Sequence, residues 1–244
     1  MTNQILKIEN ISAGYGSTVV VNSFSFSVNQ GEVLSITGRN GVGKTTLLRS
    51  IIGIIPIKSG NLLFNNENIT KKSSSERSML GISYVPQGRE IFTSLSVEEN
   101  ILLPILVRTK VNLKYTLDEI YKLFPILKEK KNNAGGSLSG GQQQQLAIAR
   151  ALVSNPKVIL LDEPSEGIQP SIVKFIGETV QKISKTLKTT FIIVEQNISF
   201  ISQLNSDCLV VDKGRILSKI SSSELKNIEK AKKLLSLENW LWVG

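Results

Sequence analysis

At 244 residues the chain is long enough to bury a full hydrophobic core in one or two domains without disulfide staples. Histidine is absent, which excludes Ser-His-Asp catalysis, histidine-ligated metals and the usual proton carrier near neutral pH. The formal net charge of +9 is spread over Lys71–Lys72, Lys128 to Lys131, Lys182 to Lys188 and Lys226 to Lys233 without interleaved aromatics, so these read as solvated helix faces and no nucleic-acid partner is expected.

Chemistry must therefore run on carboxylates, a lysine, amides and bound Mg²⁺. No signal-peptide pattern opens the sequence, and no apolar run approaches the roughly 20 residues of a membrane span, so any service to a membrane goes through a partner. Cys208 lies in the apolar run Cys208-Leu209-Val210-Val211 and reads as a small buried thiol.

In chain order, Ile5 to Ile8, Phe24 to Val28 and Leu62 to Phe64 are β-prone and predict an antiparallel layer beside a first parallel strand. The apolar run Val33-Leu34-Ser35-Ile36 leads into Gly38-Arg39-Asn40-Gly41-Val42-Gly43-Lys44-Thr45, with Thr46 next, and then into an apolar helical pattern. A glycine loop between strand and helix can turn several N–H groups toward one point, where the helix dipole adds positive potential. Such a point holds phosphate. Lys44 would reach the β and γ phosphates, and the Thr45 hydroxyl would take a position on Mg²⁺.

From about Gln87 to Asn155 the texture is helical, as in Leu113 to Leu127, with no convincing buried strand. The expected fold is α/β, with residues 87–155 a helical subdomain inserted into a core made of 1–86 and 156–244, and Gly135-Gly136 a flexible joint. Within that insertion Ser139-Gly140-Gly141-Gln142 reads as a capping box whose two glycines leave N–H groups unshielded, which is a second anion site. One nucleotide hardly needs two such sites on one chain, so two chains are expected to meet.

Val158-Ile159-Leu160-Leu161 and Phe191-Ile192-Ile193-Val194 are continuous apolar runs suited to a buried parallel sheet. Ile172, Ile176, Val180, Ile183 and Leu187 recur between them at helical spacing after Pro170, completing a βαβ unit. Asp162-Glu163-Pro164 then places two carboxylates at the C-terminal end of a strand, where ligand sites in open α/β sheets lie. Because neighbours on a strand point to opposite sides, Asp162 is the metal-side candidate and Glu163 the general base for an attacking water. The tail ends in Trp240-Leu241-Trp242, read as docking a last helix onto the core.

Gly38 to Thr45, Gln87, Leu138 to Gln142 and Val158 to Glu163, in this order and spacing, resemble the nucleotide-binding subunit of an ATP-binding cassette (ABC) transporter, over almost the whole chain. The resemblance implies a P-loop ATPase core, ATP and Mg²⁺ as ligands, and a head-to-tail dimer sandwiching two MgATP. It also implies Gln87 near Mg²⁺ and Tyr15 stacking on adenine. Implied partners are a homologous second cassette, favouring a heterodimer, permease subunits at the cytoplasmic face of the membrane, and an external solute-binding protein.

Two positions depart from the common pattern. Glu195-Gln196-Asn197 stands where many members carry a histidine, and Gln169 where many carry an aspartate. A neutral amide donates a hydrogen bond but carries no proton, so Gln196 is expected to sense the γ-phosphate while Glu163 alone handles the water. Val85 to Phe92 and Val194 to Asn197 resemble branched-chain amino acid importers, whereas Glu163 to Ser171 with Gln142 to Gln145 is closer to the urea importer branch. Urea is the expected solute, with branched-chain amino acids and short amides as neighbours. A soluble cassette ATPase acting on nucleic acid or ribosomes is the alternative of another class, and a regulator that binds nucleotide without hydrolysis is a further one.

Overall fold

Apolar residues two apart turn one face of β1 (Gln4–Ala13) inward at Leu6 and Ile8. Asn10, in the left-handed region at φ +49°, accompanies an irregularity in the pairing that returns Ile11 to the same face. The structure, a computed structural model, describes residues 3–106 and 116–226. β2 (Val21–Asn29) pairs antiparallel with β1, and after β3 (Val33–Thr37) and α1 (Lys44–Ile52) the strands β4 (Ile57–Phe64) and β5 (Glu67–Asn68) complete a sheet of order β2-β1-β4-β5. That is the antiparallel layer expected from sequence.

Next come α2 (Ser74–Leu80), β6 (Ile82–Val85), α3 (Val97–Leu106), α4 (Leu117–Leu123), α5 (Pro125–Glu129) and α6 (Gly140–Val153). β7 (Val158–Asp162), α7 (Pro170–Leu187) and β8 (Thr190–Val194) form the predicted βαβ unit, with Pro170 at the helix start. α8 (Ile198–Gln203), β9 (Asp207–Asp212), β10 (Arg215–Ile220) and α9 (Ser222–Leu225) follow. The second sheet has the order β10-β9-β3-β8-β7-β6, parallel except for β10.

Both faces of this sheet are covered, which is why its central strands read as unbroken apolar runs. Val158, Leu160, Ile192 and Val194 join the core shared with α1 and the antiparallel layer, while Ile159, Leu161, Phe191 and Ile193 join the core under α6 and α7. Val97, Ile101, Ile120 and Phe124 belong to that second core too, so the helical stretch packs directly on the sheet.

Three expectations change. The pattern Leu113 to Leu127 is two helices, because the chain leaves α4 at Phe124, which precedes Pro125 at the start of α5; residues 113–115 lie outside the described residues. Gly135-Gly136 is a fixed 3₁₀ turn rather than a flexible joint, since its N–H groups donate to Leu95 and Thr93 carbonyls and Gly135 is buried. Glu163 is not part of the strand with Asp162: β7 ends at Asp162, and Glu163 sits at φ +48° with its N–H still donating to the Val194 carbonyl, so a left-handed kink rather than pleat alternation separates the two carboxylates. The Trp240–Trp242 tail lies outside the described residues. Cys208 is buried, and burial pushes its thiol up to about 12.

Candidate active site

Four neighbouring parallel strands end at one edge, and the loops that leave β3, β6, β7 and β8 carry Gly38 to Gly43, Gln87, Glu163 and Gln196 respectively. Gly38 is required where it stands: at φ +157° a Cβ would come 2.2 Å from the Val211 carbonyl oxygen of β9. The loop enters α1 at Gly43, whose own φ is +104° and which has no side chain to cap the helix. The first N–H groups of α1 therefore stay available to an anion. A cavity of about 220 Å³ lies there, lined by Val20, Asn40, Gly41, Gly43, Lys44, Thr45, Thr46, Gln87 and Glu163. Arg39 follows Gly38 in the same loop and is exposed, whereas Val42 is buried in the core behind it.

Lys44 is 5% exposed, and its Nζ donates to the Gly38 and Arg39 carbonyls at 2.8 and 2.9 Å. Burial lowers its pKa, and the charges of Glu163, Asp162 and Glu195 oppose that shift. Glu163 Oε1 lies 3.8 Å from Lys44 Nζ. The Gln196 amide donates to the same Glu163 oxygen at 2.7 Å and to Asn40 Oδ1 at 2.7 Å, so it bridges the glycine loop and the carboxylate. Gln87 Nε2 reaches Glu163 Oε2 at 3.5 Å and Glu166 at 2.9 Å. Three polar side chains, from the start of α1 and from the loops after β6 and β8, therefore converge on Glu163.

Asp162 faces the other way, toward α1 and β6. Its Oδ1 accepts from the Thr45 hydroxyl at 3.1 Å and its Oδ2 from the Tyr84 hydroxyl at 3.0 Å. Burial raises its pKa, while the bonds from Tyr84 and Thr45 pull it down. Thr45 and Asp162 thus present a hydroxyl and a carboxylate side by side, two hard oxygen donors of the kind Mg²⁺ accepts when phosphates and water complete its shell. No cluster of three or more acidic, cysteine or histidine residues that could cage a metal exists among the described residues, so a protein-only cation site is not offered. Gln87 lines the cavity, but its amide nitrogen is engaged with Glu166 and Glu163 rather than with the Thr45–Asp162 pair.

The expected capping box at the start of α6 is present, and it stands apart from the Lys44 cavity. Ser139 caps α6, accepting from the Gln142 N–H at 3.4 Å, and Gln142 Oε1 accepts from the Ser139 N–H at 3.0 Å. Neither these residues nor Gly140 and Gly141 line the Lys44 cavity. Gly141 has a packing role that sequence reasoning missed: a Cβ there would meet Ile172 Cγ2 at 2.8 Å, so the glycine lets α6 approach α7. Tyr15 is 51% exposed, in a turn where the Thr18 N–H donates to its carbonyl, and Lys58 Nζ ties that turn through the Gly16 and Thr18 carbonyls. Gln169 stands at the N-cap of α7 without a side-chain capping bond.

Other residues went unread in sequence. Tyr84 and Glu166 hold Asp162 and Gln87, and Arg150 donates to the Glu90 carbonyl at 2.7 Å, pinning the loop after Gln87 to α6. No local pattern announces them, because each contact joins segments at least 60 residues apart.

A strand–glycine loop–helix cradle beside a carboxylate pair defines a nucleoside-triphosphate site. The family model described as ABC transporter matches residues 21–166. The chain is 37% identical over 213 residues to the high-affinity branched-chain amino acid transport ATP-binding protein BraG of Pseudomonas aeruginosa, covering 87% of this chain and 91% of that one. It is 32% identical to a probable branched-chain amino acid transport ATP-binding protein, LivF, of Archaeoglobus fulgidus, covering 94% and 98%. Similarity of 30% extends to the lipopolysaccharide export system ATP-binding protein LptB of Escherichia coli, covering 94% and 95%. An ABC transporter cassette solved in its ADP conformation superposes with a TM-score of 0.81 at 28% identity, covering 98% and 99%. The chain belongs to the ABC transporter family, as an ATP-binding subunit with ABC-type ATPase activity.

Proposed function

We propose that this subunit powers a solute importer by hydrolysing ATP between two cassettes. The observation that carries the catalytic part is the convergence of Lys44, Gln196 and Gln87 on the Glu163 carboxylate at the mouth of the glycine loop. Lys44, released from the Gly38 and Arg39 carbonyls, takes the phosphates, together with the N–H groups from Gly38 through Arg39, Asn40, Gly41, Val42, Gly43 and Thr45 to Thr46. Glu163 accepts the proton of the attacking water, and Gln196, which cannot carry a proton, orients Glu163 and donates to the γ-phosphate. Tyr15 stacks on adenine. Thr45 and Asp162, with Gln87 nearby, would hold Mg²⁺, and the chemistry it would supply is to offset charge on the phosphate oxygens.

The separation of the Ser139 helix start from the Lys44 cavity supports a head-to-tail pairing, in which Ser139, Gly140, Gly141 and Gln142 of one cassette face the nucleotide of the other. The pair docks on permease subunits at the cytoplasmic face of the membrane; no described helix is long and apolar enough to cross it. The relatives named for branched-chain amino acid transport favour that solute class. Urea is the second reading, resting on Glu163 to Ser171 and Gln142 to Gln145.

The test is to copurify the membrane complex with its external binding protein and measure what that protein holds. Leucine, isoleucine or valine bound with micromolar affinity is the expected result. Urea bound instead selects the second reading, and a complex with no binding protein that moves its cargo outward overturns import.

A further inference from the structure

Glu195 follows β8 directly and is 3% exposed. No ion pair among the described residues includes it. Its oxygens are met mainly by backbone: Oε2 accepts from the Ser165 N–H at 3.1 Å, and Oε1 from the N–H groups of Gln196 at 2.7 Å and Asn197 at 2.9 Å, with the Ser165 hydroxyl adding a further hydrogen bond. Ser165 lies two residues beyond Glu163 in the loop that leaves β7, and Gln196 and Asn197 open the loop that leaves β8. The side chains of those two loops meet in the 2.7 Å contact between Gln196 and Glu163.

We propose that Glu195 is a positioning residue for hydrolysis, its buried carboxylate clasping the two loops by their backbones and so setting where Glu163 stands against Gln196. The inference rests on the reading of Glu163 as the group that acts on water. An ionised carboxylate suits this task because it offers two acceptor oxygens and no donor to three converging N–H groups. An amide of the same shape would turn its NH₂ against at least one of them, and that loop would relax. Glu163 feels any such shift directly, since its own φ of +48° leaves it dependent on neighbouring contacts to hold its place. Glu195 is not among the residues lining the cavity, and its charge reaches Lys44 through space rather than through a hydrogen bond, so its loss is expected to fall on turnover far more than on nucleotide affinity.

The test compares the full-length wild type with Glu195→Gln, Gln196→Ala and the double variant, measuring kcat, affinity for a fluorescent ATP analogue, and thermal midpoint. Glu195→Gln is expected to lower kcat at least tenfold while affinity stays within twofold. Added to Gln196→Ala it should cost less than threefold more, because the contact it sets is already gone. A kcat within twofold of wild type overturns the proposal, as does an affinity that falls in step with kcat, or full multiplication of the two effects. If Glu195→Gln does not fold, Glu195→Asp keeps the charge on a side chain too short to span both loops, and the same split between kcat and affinity is required of it. A Glu163→Gln chain with wild-type turnover would sink the underlying reading. Lost turnover in Glu163→Gln beside a wild-type-like Glu195→Gln would sink the clasp alone.

Discussion

Lys44 shows how much of this site follows from one side chain. A buried ammonium whose charge-assisted bonds go to two carbonyls is already desolvated, so exchanging those carbonyls for phosphate oxygens gains strong bonds with little further cost. Lys44→Ala should weaken ATP binding by about 3 kcal/mol, on the order of 100-fold in Kd, read by titration with a fluorescent analogue. Asp162 gives a second prediction. Its folded pKa is raised by burial above the unfolded value, so between the two values the folded state binds more protons and gains stability as pH falls. Denaturation midpoints measured from neutral pH down into the ordinary carboxylate range should therefore shift in favour of wild type over Asp162→Asn. The opposite slope would mean that the Tyr84 and Thr45 bonds outweigh desolvation. The meeting of Lys44, Thr45 and Asp162 at the ends of β3 and β7 was legible in sequence, because residue type and position after a strand dictate it. The Glu195 clasp was not, since three N–H groups reach one carboxylate only after two loops have folded together.

At the scale of elements, legibility followed periodicity. β7 and β8 were readable because burial on both faces demands unbroken apolar runs, and α6 because Ser139 and Gln142 form a capping box that needs only local chain. β6 was missed: it is short, lies at the sheet edge, and carries the partly exposed Ser83 and Tyr84. Arg77 was missed for a different reason. Its guanidinium is buried without an acid partner and donates to the carbonyls of Ser50 and Ile51, in the last turn of α1, and to those of Thr70 and Lys72. It thereby satisfies the C-terminal end of the phosphate-binding helix. Arg77→Leu leaves four carbonyls without these bonds, and should lower unfolding free energy by about 3 kcal/mol in denaturant titrations.

For the whole molecule, the loop after Gln87 joins the glycine-loop cavity to α6. Gln87 lines the cavity, while Arg150 of α6 holds the carbonyl of Glu90, three residues on, which gives the proposed site a short physical route to the helical face. Charge reversal in Glu90→Lys should uncouple solute uptake from ATP hydrolysis in the reconstituted complex, with ATP affinity unchanged; lost affinity would place Glu90 in the nucleotide site instead. Dimer pairing, permease and solute leave little trace in one chain, because each depends on surfaces that another molecule completes. The central claim, that Glu163 acts on the water while the glycine loop holds the nucleotide, meets its most direct test in single-turnover cleavage of labelled ATP by Glu163→Gln, with bound nucleotide measured in the same sample. The account predicts full ATP occupancy with cleavage slowed by roughly 100-fold or more. Occupied sites that cleave at the wild-type rate would contradict it.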